Sequence, residues 1–190
     1  MLKKFKQFVF EKRCGKYTIF CDLDGVLVDF NRGFMEISEN PEKLSPHAYE
    51  ELHGKNSIWP ILDKLGEDFW ADLPWTQDGR ELWDYLKQYD PIILSAPSRS
   101  PECLAGKTKW IKLHLHIDEE PVTKPEDFTS KTRIILDQDK WKYARNEFDI
   151  LIDDFDTKLN KWTEAGGTGI LHNDSTDSIR VLEGIMEIED

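Results

Sequence analysis

The sequence has no long apolar run, and this absence excludes a membrane-spanning protein. A transmembrane helix needs about 20 consecutive, predominantly apolar residues, and no stretch of the 190 residues approaches that length. The segment from Met1 to Lys16 contains phenylalanines and basic residues, but Glu11 interrupts it and the apolar core of a secretory signal is missing. A short amphipathic helix or a loose strand is expected there, and the protein is expected to be cytoplasmic.

Cysteine is also scarce, which argues against a fold held together by disulfides. The chain has three cysteines, Cys14, Cys21 and Cys103, an odd number without paired spacing. Disulfide frameworks use an even set at regular spacing, whereas cysteines in a reducing compartment stay free. We therefore expect free thiols in a reducing compartment.

Positive charge is in deficit. The chain has 25 lysines and arginines against 37 aspartates and glutamates, a formal net charge of −12. Surfaces that bind extended nucleic acid or anionic membranes are rich in lysine and arginine. The composition therefore disfavours both as partners, and a phosphate-bearing small molecule would have to be attracted locally by a metal ion or a few placed lysines.

Two glycine-rich nucleotide-binding motifs are missing as well. Residues 106–108 (GKT) imitate the end of a P-loop, but Pro101 stands where the first glycine of that motif is required. Residues 166–169 (GGTG) are not continued by the glycine spacing of a dinucleotide-binding turn. The sequence therefore supports neither a P-loop kinase nor a dinucleotide-binding protein.

What the sequence does contain is an apolar strand that ends in two aspartates. Residues 17–21 (YTIFC) are apolar on both faces, as in a buried parallel strand, and Asp22, Asp24 and Gly25 follow. In such sheets the chemistry lies beyond the carboxyl ends of the strands. Asp22 can act as a nucleophile that forms an aspartyl-phosphate, and Asp24 as the acid and then the base. A plain Asx-type turn is the structural alternative.

Strands and helices alternate along the rest of the chain, except in one segment. Four more apolar runs of strand length, each followed by a helical pattern, are residues 91–94, 134–136, 149–152 and 169–171. Five such units predict an α/β protein with a doubly wound, Rossmann-like parallel sheet. We assign residues 1–28 and 76–190 to this core, and the aromatic-rich residues 29–75 to a small helical cap inserted after the first strand.

Polar residues follow the second and third strands. Ser95 ends the second strand, where its hydroxyl can donate to a phosphoryl oxygen, although an isolated serine is more often a capping residue. Lys140 follows the third strand and can neutralise charge between an anionic nucleophile and a phosphoryl group. Lys107 and Lys131 are its rivals, and a lone lysine is usually a solvated surface charge.

Two adjacent acids, Asp153 and Asp154, end the fourth strand. Adjacent carboxylates after a buried strand are unfavourable unless a cation holds them, although a helix N-terminus can also favour them. Together with Asp22 they form an oxygen-rich set that suits Mg²⁺, which binds carboxylates, phosphate and water. The sequence therefore predicts a magnesium site.

These motifs resemble those of the haloacid dehalogenase (HAD) superfamily, and more narrowly its 5′(3′)-deoxyribonucleotidase branch. The resemblance rests on residues 22–30 (DLDGVLVDF), 93–97 (ILSAP), 139–140 (DK), 151–154 (LIDD) and the glycine pair before the last strand. It implies a HAD-like fold with a cap and a phosphatase activity with Mg²⁺, which is held by Asp22, Asp153, Asp154 and the Asp24 carbonyl. It also implies that Phe30 lines a base pocket. Ala96 departs from the pattern, because the branch often has a second hydroxyl residue there.

The sequence therefore predicts a Mg²⁺-dependent phosphomonoesterase of the 5′-nucleotidase type. It would work through an aspartyl-phosphate and would dephosphorylate (deoxy)nucleoside monophosphates. The alternatives are a HAD phosphatase for another small phosphate ester or for a nucleic-acid 3′ end, and a non-enzymatic, phospho-accepting receiver module. The expected partner is a small phosphate ester, and a homodimer is left open.

Overall fold

The computed structural model describes residues 16–187. The expectation for the segment from Met1 to Lys16 falls, except for Lys16, outside the described residues, as does Cys14. Cys21 and Cys103 are both free and buried. In the described part of the chain, no helix has the length and apolar character needed to cross a bilayer.

A five-stranded, all-parallel sheet forms the centre of the molecule, with the strand order β3-β2-β1-β4-β5. The strands are β1 (Thr18–Cys21), β2 (Ile92–Ser95), β3 (Ile134–Leu136), β4 (Asp149–Asp153) and β5 (Thr168–Leu171). Isoleucines and leucines fill β2, β3 and β4 because helices cover both faces of the sheet, so that both faces are buried. The predicted fold class, a doubly wound α/β sheet of the Rossmann type, is confirmed.

The strand order changes direction at β1. The chain adds β2 and β3 on one side of β1 and then returns to add β4 and β5 on the other side. Such a reversal opens a crevice at the carboxyl ends of the two strands that flank it, and ligands of open α/β sheets bind there. The flanking strands here are β1 and β4, which end at the two acidic motifs.

Seven α-helices lie in the described part of the chain. They are α1 (Phe30–Glu36), α2 (Pro46–His53), α3 (Trp59–Ala71), α4 (Gly79–Leu86), α5 (Pro101–Leu115), α6 (Asp156–Glu164) and α7 (Ser175–Glu187). Ser100 is the N-cap residue of α5 and Pro101 its first residue. Beyond the end of α6, Gly166 has a φ of 102°, a value that favours glycine.

The helix expected after the third strand is not formed. The chain instead makes a four-residue 3₁₀ turn, Lys140–Tyr143. The Tyr143 hydroxyl donates to Asp137 Oδ2 at 3.0 Å, and this contact holds the turn against the end of β3. This tighter connection places Lys140 directly beside the acidic strand ends.

Helices α1, α2 and α3 form an insertion between β1 and β2 whose two ends meet. Val28 pairs with Trp75 in an antiparallel bridge. The Asp29 amide donates to the Pro74 carbonyl at 2.8 Å. The insertion therefore leaves and re-enters the core at one point, beside the aspartate turn. Its assignment to residues 29–75 as a separate cap stays a prediction.

Helix α3 is bent at Gly66. This residue has a φ of 67° and a ψ of −150°, which are not helical values. The second half of α3 lies close against α5. The closeness is seen at Gly106 of α5, where an added Cβ would fall 2.4 Å from the Glu67 carbonyl oxygen and 2.5 Å from Trp70 Cβ, both in α3. The bend therefore separates a half of α3 that is fixed on the core from a half that starts at Trp59.

Candidate active site

The first acidic turn is fixed by the central strand. The Asp22 amide donates to the Ile152 carbonyl of β4 at 3.0 Å, and the Asp22 carboxylate accepts from the Leu23 amide at 2.7 Å. Gly25 has a φ of 79°, and a Cβ there would fall 1.9 Å from Asp154 Oδ2. Glycine is therefore required, both for the turn and for the close approach of the second acidic motif.

The three acids that the sequence assigned to a metal come together. One carboxylate oxygen from each of Asp22, Asp153 and Asp154 lies within 4.8 Å of the others. Asp22 and Asp153 are buried, and Asp153 also accepts from the Phe155 amide at 3.0 Å. A set of three carboxylates, two of them rigidly held, fits the ligands that Mg²⁺ takes in proteins.

Lys140 bridges the two acidic motifs. Its Nζ lies 2.7 Å from Asp22 Oδ2 and 2.5 Å from Asp153 Oδ2, and its side chain is buried. The 3₁₀ turn after β3 brings it into the crevice at the switch point. The lysine chosen from the sequence thus lies in the acidic cluster, in contact with the expected nucleophile.

Lys107 lies in the same site, although the sequence ranked it only as a rival. Its Nζ donates to Asp24 Oδ2 at 2.5 Å, to Ser95 Oγ at 2.9 Å and to the Ala96 carbonyl at 3.1 Å. It is buried on α5 beside Cys103, Trp110 and the other core residues of that helix. A lysine on the apolar face of a helix was the signal that could have identified it.

Lys131, the third candidate, is remote from these contacts. It is exposed and precedes β3, so it lies at the amino end of the strand, opposite the acidic motifs. Of the three candidate lysines, two therefore lie in the site, each paired with a different acid: Lys140 with Asp22 and Lys107 with Asp24.

The pKa of Asp22 is lowered, whereas the pKa values of Asp153 and Asp154 are raised. Burial alone would raise the pKa of Asp22, but the ammonium groups of Lys140 and Lys107 outweigh it and hold that pKa below its usual value. Burial and the charge of Asp22 raise the pKa of Asp153. Burial, with the charges of Asp22 and Asp153, raises the pKa of Asp154 to about 6. Among the described residues, Lys140 is the one ammonium group that contacts Asp22 and Asp153, so the cluster of three carboxylates keeps excess negative charge, which a divalent cation would neutralise.

Asp24 is placed differently from the other acids. Its Oδ2 is paired with Lys107, whereas its Oδ1 is buried without a hydrogen-bond partner among the described residues. An unpaired, buried carboxylate oxygen is unfavourable unless a ligand or water contacts it. Asp24 therefore has one carboxylate oxygen that a ligand or water could contact, two residues beyond Asp22.

Phe30 lies at the start of α1, near the acidic turn, and is half-buried. Its ring stacks on Trp70 at a centroid distance of 5.6 Å and an interplanar angle of 13°, and it meets Phe69 edge-on at 6.0 Å. Lys107 Nζ lies 5.8 Å from the centroid of the Trp70 ring. The aromatic cluster of α1 and α3 thus borders the lysine that holds Asp24.

Comparison with known proteins adds information on the fold. No protein-family model and no curated protein matches the sequence. A hydrolase from Streptococcus pneumoniae TIGR4 is similar in structure over 88% of this chain and 99% of its own, with a TM-score of 0.50 and 12% identity. At this identity the similarity extends to the fold alone.

Two further solved structures are more distant in shape. A HAD-superfamily hydrolase from Ehrlichia chaffeensis matches over 89% of this chain and 96% of its own, with a TM-score of 0.46 and 14% identity. A HAD hydrolase of family IA, variant 3, from Entamoeba histolytica HM-1:IMSS covers 91% of this chain and 89% of its own, with a TM-score of 0.44 and 16% identity. Such scores carry no argument about this site.

Proposed function

We propose that the protein is a HAD-type, Mg²⁺-dependent phosphomonoesterase that works through an aspartyl-phosphate. One observation supports this proposal above the others. The acids that end β1 and β4 converge within 4.8 Å of one another at the switch point of the sheet. They are accompanied there by two buried lysines and by Ser95. A nucleophile, an acid–base group and several cationic donors are therefore within reach of one phosphate.

The proposed reaction has two displacements. In the first, an Asp22 oxygen attacks phosphorus, the bond from phosphorus to the ester oxygen breaks, and Asp24 gives a proton to the departing oxygen. In the second, water attacks the aspartyl-phosphate, Asp24 takes the proton from that water, and Asp22 is released together with inorganic phosphate. Asp24 must be protonated to begin, so substrate binding has to draw Lys107 from Asp24 toward the phosphoryl oxygens.

The cationic groups would stabilise charge on the phosphoryl oxygens in both steps. Ser95 is placed to donate a hydrogen bond, and Lys107 and Lys140 to donate charged ones. Asp22, Asp153, Asp154 and the Asp24 backbone carbonyl would hold Mg²⁺. The ion, when bound, would supply positive charge between the nucleophile and the phosphoryl group.

The substrate class we propose is the (deoxy)nucleoside monophosphates, as for a 5′-nucleotidase. Support comes from the resemblance of the motifs to the deoxyribonucleotidase branch and from Phe30. Its half-buried ring stacks on Trp70, which borders Lys107, and could contact the substrate beside the ester oxygen. The net charge of −12 favours a small phosphate ester over a long nucleic acid. The cytoplasmic location and the homodimer stay predictions.

A phosphate-release assay tests this proposal. The purified protein is incubated with nucleoside 5′- and 3′-monophosphates, sugar phosphates and a 3′-phosphorylated oligonucleotide, with Mg²⁺ and with a chelator. We expect phosphate release from mononucleotides that disappears with the chelator and returns with Mg²⁺. Stable phosphorylation of the protein without release of phosphate would instead indicate a receiver module.

A further inference from the structure

A cavity separates the inserted helices from the edge of the sheet. Its volume is about 880 Å³, which falls in the range of small-molecule sites. One wall comes from the start of α3 and the loop before it. The opposite wall comes from the loop after β2, the start of α5 and the loop after β3. The lining residues that matter here are Trp59, Asp63, Arg99, Glu102, Asn56 and Gln138.

This cavity adjoins the phosphate site through two short segments of chain. Ser98 lines the cavity and follows Ser95 by three residues. Gln138 precedes Lys140 by two residues. Because consecutive Cα atoms lie about 3.8 Å apart, Cα atoms three residues apart are separated by no more than about 11 Å. A phosphate held by Ser95 and Lys140 would therefore have its ester group within reach of the cavity.

The lining has the chemistry of a site for a planar, polar group. Trp59 is 38% exposed, lines the cavity, and stacks on no other ring among the described residues. Among the described residues Arg99 forms no hydrogen bond or ion pair, so its five donors are free for a ligand. Asn56 and Gln138 add side-chain amides, which can both donate and accept. Two carboxylates, Asp63 and Glu102, outnumber the one guanidinium, so the lining does not favour a second anionic group.

We propose that this cavity binds the leaving group of the phosphate ester, and that this group is a nucleoside whose base stacks on Trp59 and accepts hydrogen bonds from Arg99. The inference rests on the proposed function and deepens it. It places the base at Trp59 rather than at Phe30, whose ring is stacked on Trp70 and which does not line the cavity. Phe30 would then contact the substrate only near the ester oxygen.

The test compares two substrates that differ only by the base. The ratio of kcat/KM for a nucleoside 5′-monophosphate to that for ribose 5-phosphate is measured for the wild type and for Trp59→Ala. Stacking of a base on an aromatic side chain corresponds to about 5-fold to 150-fold in affinity. We expect Trp59→Ala to lower this ratio by about tenfold, mainly through KM of the nucleotide. Hydrolysis of ribose 5-phosphate should stay within about twofold.

Two further variants separate base binding from a structural effect. Trp59→Phe keeps an aromatic face and should restore most of the ratio. Leu52→Ala removes an exposed apolar side chain, 64% exposed, from α2 of the same insertion and should leave the ratio unchanged. Arg99→Gln should raise KM for nucleotides whose base presents carbonyl oxygens, with little effect on ribose 5-phosphate.

The possible results are distinguishable. A parallel loss on both substrates in Trp59→Ala, an unchanged ratio, or a selective loss in Phe30→Ala alone would overturn the assignment of the base to this cavity and leave the phosphatase intact. A wild type that hydrolyses both substrates equally well would do the same. A wild type that releases phosphate from neither substrate would overturn both proposals.

Discussion

Two buried lysines divide the acids of the site between them. Lys140 neutralises Asp22 and Asp153, whereas Lys107 neutralises Asp24 and also reaches Ser95. The proposed nucleophile and the proposed acid–base residue therefore contact different lysines, although only Leu23 lies between them in sequence. In the proposed mechanism, substrate draws Lys107 away from Asp24 while Lys140 stays paired with Asp22. This separation gives each charged residue a different expected mutant phenotype.

Replacing Asp22, the proposed nucleophile, tests whether the reaction passes through an aspartyl-phosphate. Asp22→Asn keeps the shape of the side chain but removes the charge and the nucleophilic oxygen, so we expect turnover to be lost. The Asp22 side chain is buried against Lys140, so the amide should still fit, and near-ultraviolet circular dichroism should match that of the wild type. Phosphate release that survives in a folded Asp22→Asn protein would exclude the aspartyl-phosphate.

The two lysines should differ in their effect on stability. Lys140→Met removes the ammonium group that contacts Asp22 and Asp153, and both carboxylates are buried. Breaking a buried ion pair in this way typically lowers the free energy of unfolding by about 3–5 kcal/mol. Lys107→Met should lower the free energy of unfolding less, because the Asp24 side chain that it leaves unpaired is 33% exposed and can be hydrated. We expect the free energy of unfolding in urea, measured without metal, to fall clearly more for Lys140→Met.

The catalytic activity of Lys107→Met provides a second test of the role of this lysine. Because Lys107 contacts both Asp24 and Ser95, Lys107→Met should lower kcat for every phosphate ester while the fold is retained. Equal losses of stability in the two variants would contradict the division of charge described above. Full activity of folded Lys107→Met would remove this lysine from the proposed mechanism.

Among the secondary-structure elements, the apolar strands were the easiest to predict from sequence and the insertion the hardest. Residues 92–94 and 134–136 are continuous apolar runs bounded by polar residues, and they form β2 and β3 as expected.

Lys107 was ranked too low because its partner Asp24 is 83 residues away in sequence, and only the packing of α5 brings them together. The four-residue turn after β3 was mistaken for a helix because the sequence pattern does not show the hydrogen bond that joins Tyr143 to Asp137 at the end of β3.

Helix α3 offers a test of backbone strain without a steric clash. Gly66 has left-handed φ and extended ψ, a combination that only glycine adopts readily. A Cβ there would have its nearest neighbour, Glu102 Cγ, at 4.0 Å, so the space is open. We expect Gly66→Ala to lower the free energy of unfolding by about 1–3 kcal/mol, or to straighten α3 and displace Trp59.

A second glycine in a helix provides the matched control. Gly184 lies inside α7, and a Cβ there would meet nothing within 4 Å. Gly184→Ala should therefore raise the free energy of unfolding by about 0.5–1 kcal/mol, because alanine loses less backbone freedom than glycine in an ordinary helix. Opposite signs for the two substitutions in urea unfolding would support the strain at Gly66, whereas stabilisation by both would show that α3 has no strained bend.

At the scale of the whole molecule, the topology of the sheet explains how distant acids could be assigned to one site. Asp22 and Asp153 are 131 residues apart, yet both end strands that are neighbours in the sheet, with Cys21 in register with Ile152. A parallel sheet aligns the carboxyl ends of its strands, so an order of strands suffices to predict which acids meet. The cavity lined by Trp59 and Arg99 could not be predicted in this way, because it depends on how the insertion lies over the sheet.

The net charge of −12 leads to the last prediction, which concerns the length of the substrate. A mononucleotide would meet chiefly the local field of the two lysines and of the proposed metal, whereas an oligonucleotide with a terminal phosphate would also meet the acidic surface. We expect kcat/KM to be higher for the mononucleotide at low ionic strength. The Debye length falls from about 30 Å at 0.01 M salt to about 8 Å at 0.15 M, so added salt at fixed Mg²⁺ should narrow the difference. If the oligonucleotide is preferred at low salt and loses this advantage as salt is added, the protein has a basic path for nucleic acid, and the 3′-end phosphatase becomes the better proposal.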